Sequence, residues 1–182
     1  MLRLVTALMV LISSPALATD WAVNNDNSKL GFFATQAGAE FEGGFKSFNS
    51  QIKFDPDALA DSKVKITIAI KSVDTQSADR DANIVNPDWF NTAAHPEAFF
   101  ETKLIEKKGE GEYVAISDLT MRGVTKEVSL PFSLKIDGTT AHAKGEVTVS
   151  RTAFGIGQGQ WAASTVVGDD VRIFFDLKAD AQ

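Results

Sequence analysis

With 182 residues and a formal net charge of −6, the chain is long enough to bury one hydrophobic core. It is too acidic to suit nucleic acid or anionic headgroups, which call for a basic face. It has no cysteine, which excludes disulfides and a lipid anchor on a cysteine.

In chain order, the first eighteen residues read as a secretory leader. Arg3 supplies the positive end, Leu4 to Ile12 the apolar run, and Ala16-Leu17-Ala18 a small-x-small cleavage site. The run is far short of the roughly 20 residues a spanning helix needs. The expectation is cleavage after Ala18, a soluble periplasmic protein starting near Thr19, and one domain over 19–182.

The strands show as alternation. Ile52 and Phe54 mark the first clear one, and Asp55-Pro56 then starts a short helical turn ending near Ala60, since proline at the first helical position sacrifices no hydrogen bond. From Val64 to Lys71 every second residue is branched and aliphatic, the mark of a strand with one dry face. Thr75 or Ser77 can cap a second helix running to about Val85, with Pro87 beyond it. Phe100, Thr102 and Leu104 precede the turn Lys108-Gly109-Glu110-Gly111, and Val114 and Ile116 follow it. Val128, Leu130, Phe132, Leu134 and Ile136 alternate with polar residues. Pro131 has no N–H for a ladder, so this strand is expected to be an edge or to carry a bulge. Asp137-Gly138 reads as a type I′ hairpin dipeptide. Val147 and Val149 follow, and Val171, Ile173, Phe175, Leu177 and Ala179 form the last stripe. About eight strands and one or two short helices make one mostly antiparallel β domain.

Alternation and composition leave sandwich and barrel open, because both bury one face of every strand. Thirteen Phe against one Tyr suit a dry interior. Chemical motifs are scarce. His95 and His142 read as surface residues, and no metal-ligand spacing is visible. There is no G-x-S-x-G elbow. Gly155-Ile156-Gly157-Gln158-Gly159 has no helix after it to hold a phosphate, so it reads as a flexible β connection. No carboxylates are paired for acid–base work.

The middle of the chain carries a more specific signature: Ser72-Val73-Asp74-Thr75, Ala78-Asp79-Arg80-Asp81, Asp88-Trp89-Phe90-Asn91-Thr92, Pro96 and Phe100. Gly44-Phe45 leading to Ile52-Lys53-Phe54-Asp55, the run from Asp118 to Lys126, and Arg151-Thr152-Ala153-Phe154-Gly155-Ile156 extend it over the whole of 19–182. In these motifs the chain resembles the YceI-like family. The resemblance implies an all-β, lipocalin-like, eight-stranded antiparallel barrel with a long apolar cavity, periplasmic in many members, binding polyisoprenoid chains that include isoprenoid quinones. Many members carry a His where this chain has Gln36, so any titrating role of that position is lost here.

On that reading the cavity wall comprises Ile66, Ile68, Ile70, Leu130, Phe132, Ile173 and Phe175, joined by Phe32, Phe45, Phe54, Phe90, Phe100 and Phe154. Trp89 and Trp161 are expected at the mouths. The ligand is an isoprenoid lipid or quinone, with no other cofactor, no metal and no nucleic acid. Membrane contact is transient, for cargo exchange, and monomer and homodimer stay open. Burying a methylene from water is worth about 0.8 kcal/mol, but membrane tails are as apolar as a pocket, so transfer from lipid is near neutral. A carrier or store follows, with no catalysis. An enzyme acting on an isoprenoid would use Gln36 or the pair Arg80-Asp81, which otherwise read as an ion pair or a helix-end contact. A core filled by its own side chains would instead make the barrel a scaffold for protein interaction.

Overall fold

Alternation does produce the strands, and three of the longest are broken midway. The computed structural model describes residues 18–182; the expected leader, residues 1–18, lies outside the described residues but for Ala18. Strands β1 (Thr19–Val23) and β2 (Lys29–Gln36) share one track, interrupted by a 3-10 turn at Asn25–Asn27. Strands β3 (Ala39–Phe45) and β4 (Phe48–Phe54) share the next, and β5 (Lys63–Ala69) and β6 (Val73–Asp74) a third. Helix α1 (Ala78–Ile84) follows, and then β7 (Glu97–Gly109), β8 (Glu112–Met121), β9 (Val124–Asp137), β10 (Thr140–Ser150) and β11 (Asp170–Ala181).

Neighbouring strands are antiparallel throughout. β11 pairs on one side with β10 and on the other with β2 and β1, so the eight tracks close into a barrel. This settles sandwich against barrel. Around the upper rim lie the β2–β3 turn, α1 and the segment after it, the β8–β9 turn, and the long β10–β11 connection. The base carries the β4–β5, β7–β8 and β9–β10 connections and the β1–β11 pairing.

Local expectations hold with small shifts. Ser77 caps α1 through the Arg80 amide, and Val85 ends it. The turn after Asp55 takes 3-10 form at Leu59–Asp61, with Asp55 Oδ1 accepting from the Asp57 amide at 2.8 Å. Ile70 belongs to a 3-10 turn just past β5, yet remains buried. The β9–β10 loop is Gly138-Thr139, because Asp137 still pairs with Thr140. Only Gly138 has positive φ (60°), the pattern of a type II′ turn and not the expected I′. Nor is β9 an edge: it pairs with β8 from Val124 to Ser133 with no register shift, and with β10 from Phe132 to Asp137. Pro131 acts on its other side, where the ladder with β10 stops at Phe132–Gly145.

Candidate functional site

Inward side chains from all eight tracks face a cavity of about 280 Å³. On β11 the lining residues run from Val171 to Ala179, about 26 Å of strand. All the wall residues expected from the sequence line it except Phe154. Phe154 is only 2 % exposed, but it lies behind the wall, in one buried cluster with the lining residues Val149 and Ile156. Trp89 and Trp161 do not mark two mouths. They meet at the upper end, ring centroids 5.7 Å apart.

The wall is apolar from the base, where Trp21, Leu177 and Ala179 line it, up to the rim. Its polar members are Gln36, Arg80, Asn83 and Arg151 near the upper end and Thr102 midway, and each is engaged. Thr102 Oγ1 accepts from the Val64 amide at 2.9 Å, and Asn83 Nδ2 donates to Asp79 O at 2.7 Å. Arg80 and Asp81 form no ion pair with each other. Both grip Thr75, itself 2 % exposed: Asp81 Oδ1 accepts from its amide and hydroxyl, and Arg80 donates to its hydroxyl and carbonyl. The helix-end contact is thus the correct alternative. Arg80 Nη1 also donates to Gln36 Oε1 at 3.3 Å, and its guanidinium lies 4.3 Å from the centre of the Phe41 ring.

Arg151 was quoted above only as part of a motif. Its buried guanidinium donates to five backbone carbonyls, those of Ile156, Gly157, Trp161, Val167 and Gly168. The β10–β11 connection is therefore wrapped around one cation, and a Cβ at Gly157 would collide with that guanidinium. Burial pushes the Arg151 pKa down, countered by nearby Asp169. The hydroxyls of Ser150 and Thr152 hold the Asp169 carboxyl below its ordinary value. No sequence pattern marks such a residue, since its partners are carbonyls.

Among the described residues no carboxylate and no histidine lines the cavity. His142 Nε2 sits 2.6 Å from Asp176 Oδ1, and the His95 ring lies against Gly123 in the β8–β9 turn. Among the described residues no three His, Cys, Asp or Glu side chains converge as metal ligands. The arrangement can surround a chain of carbons; it offers no placed base or nucleophile.

The comparison with known families agrees with this architecture. The model of the YceI-like domain matches residues 21–179. The chain belongs to the YceI-like family. A UPF0312 protein of Photorhabdus laumondii is 37% identical over 141 residues, 76% of this chain and 73% of that protein. BcnA of Burkholderia cenocepacia, a solved structure, superimposes with a TM-score of 0.83 at 30% identity, covering 86% of this YceI-like chain and 99% of that one. A polyisoprenoid binding domain from Saccharophagus degradans, implicated in plant cell wall breakdown, reaches a TM-score of 0.72 at 14% identity, over 90% of this chain and 99% of its own. At that identity the likeness is one of fold.

Proposed function

We propose that this YceI-like protein binds a long isoprenoid, a polyprenyl lipid or an isoprenoid quinone, in the barrel cavity and carries or stores it without chemical change. The observation that carries the reading is the continuous apolar wall from the base to the Trp89–Trp161 pair, with polar side chains gathered near one end. An elongated apolar body with a single more polar terminus matches that distribution. The fold shared with a polyisoprenoid binding domain supports the same ligand class. Membrane tails and this wall are similarly apolar, so loading and unloading are near balance and suit exchange with a membrane through transient contact. The leader-like pattern of residues 1–18 supports a periplasmic location for this work, after cleavage at Ala18.

The test is mass spectrometry of an organic extract from protein purified from a periplasmic fraction without detergent, together with N-terminal sequencing. The expected result is a co-purified isoprenoid and a chain beginning at or near Thr19. An extract free of apolar compounds, combined with failure of stripped protein to take up ubiquinone-8 from vesicles, would turn the reading to a protein-interaction scaffold.

A further inference from the structure

Most of the barrel wall is sealed by continuous ladders, but one stretch is not. β10 pairs with β11 over its whole length and β9 with β8 over nearly all of its own. Between β9 and β10 the pairing covers only Phe132–Asp137 against Thr140–Gly145. Above it, Val124–Pro131 and Glu146–Ser150 run up the barrel with no ladder between them.

The sequence contains the cause. The Leu134 amide donates to Gly111 O, on the β8 side, at 2.8 Å. Successive amides of a strand face opposite neighbours, so the amide position of residue 131 faces β10. Residue 131 is proline, and the first donor above the last pair is missing. Beside it the strands are pressed together: a Cβ on Gly145 would lie 2.6 Å from Pro131 O and 2.9 Å from Phe132 Cβ. Above that tight point no ladder pair joins the two strands. Val128 and Leu130 on one side of the seam, and Val147 and Val149 on the other, all line the cavity. A 3-10 turn, Thr152–Phe154, lies beside both strands, and its buried Phe154 belongs to the same apolar cluster as Val149 of β10 and Val128 of β9.

We propose that this seam is the passage by which the apolar ligand enters and leaves, with the tip of the β8–β9 hairpin swinging out and Phe154 as its latch. The inference rests on the binding function proposed above. Hydrogen bonds decide the route. Leaving through a laddered part of the wall breaks several bonds worth about 1 kcal/mol each and exposes their partners to apolar surroundings. Leaving over the rim disturbs the five Arg151 bonds and the two amides, Gly157 and Gln158, held by Asp88 O. Leaving through the seam breaks no bond between β9 and β10; the swinging tip gives up only the Arg122 Nη2 bond to Pro87 O and the uppermost β7–β8 pairs, Phe99–Thr120 first. Exposed Lys126 and Glu127 on β9 guard the bare edge against pairing with another chain.

The chain has no cysteine, so introduced pairs can be cross-linked cleanly. Continuing the Phe132–Gly145 register sets exposed Ser129 opposite exposed Thr148. In the Ser129→Cys/Thr148→Cys variant a short bismaleimide should slow transfer of NBD-labelled geranylgeraniol to and from phosphatidylethanolamine–phosphatidylglycerol vesicles by about tenfold or more. The equilibrium Kd should stay within about twofold, since both rates fall together. The same reagent in Asp88→Cys/Gln158→Cys, which ties the rim loops, should leave the rate within about twofold of the parent. Pro131→Val, which restores the missing donor, should slow transfer without any cross-link. Unchanged transfer in both seam variants, or a block by the rim cross-link alone, overturns the gate while leaving the cavity reading intact. Wild-type protein that takes up no probe at equilibrium overturns the cavity reading, and the gate with it.

Discussion

The two ends of the barrel solve the same backbone problem with different residues. At the base, left-handed turn positions are filled by Gly111 and Gly138, which bear no steric cost there. At the upper end, glycines are joined by Ala37, Gln76, Asn91 and Arg122, with φ of 51°, 58°, 50° and 50°. Each such residue costs about 1 kcal/mol. Buried donors divide the same way. At the base Trp21 Nε1 reaches Phe54 O at 3.0 Å, while Trp89 Nε1 and Arg122 Nε near the rim, and Ser117 Oγ midway along β8, are buried with no partner among the described residues. The base packs Phe54, Tyr113 and Phe132 ring against ring. Backbone strain is concentrated at the upper end, the distribution expected where that end handles a ligand.

The largest expected effect tests whether one residue holds the strained end together. Arg151→Met should cost about 5 kcal/mol in urea unfolding, because five carbonyls lose their donor at once. A loss under about 1 kcal/mol would mean that the upper loops stand without it. The next effect separates packing from cavity wall. Phe154→Ala, behind the wall, should cost about 4 kcal/mol, whereas Ile68→Ala in ligand-free protein should cost less than about 2, since its neighbour on one side is already empty space. Ile68→Trp should expel ligand and leave the fold standing. Equal losses for the two alanine variants would erase the distinction.

The smallest effect is a pH dependence. The folded Asp169 carboxyl titrates below its unfolded value, so its contribution is present above about pH 4 and is lost as pH falls through the folded pKa. Asp169→Asn should therefore narrow the gap between urea midpoints at pH 7 and pH 3. An unchanged gap would place the acid sensitivity elsewhere, with Asp176, held low by Lys144, as the next group to replace.

Strands with uninterrupted alternation, such as β5, β9 and β11, were legible in the sequence, and so was most of the cavity wall. β2 and β3 were harder, because large and absent side chains trade places across strands. The outward Phe174 ring lies over Gly31, and the inward Phe32 ring over Gly43. Such a glycine looks like a break in the pattern until its partner strand is known. Phe154 was misplaced for a related reason: being apolar says that a ring is buried, not on which side of the wall. Pro131 announced an irregularity, but whether its missing donor faced β8 or β10 depended on a register set by Gly111, twenty residues away. Arg151 and Thr75 stood in the sequence only as members of motifs, their roles hidden, because Arg151 binds backbone carbonyls and Thr75 is gripped by Arg80 and Asp81 in a geometry that only the fold around α1 provides.

The pairing of Trp21 with Ala181 joins residues 160 positions apart. Closing so long a loop of flexible chain costs about 4.5 kcal/mol in entropy. The hairpins from β7 to β11 involve only local contacts and can form first, shortening the effective loop before the first strand docks. Closure of the cylinder is then a late event that waits for the last dozen residues. A chain stopped short of β11 would keep β10 and β1 as two bare edges, and its fate would be self-association instead of a smaller barrel.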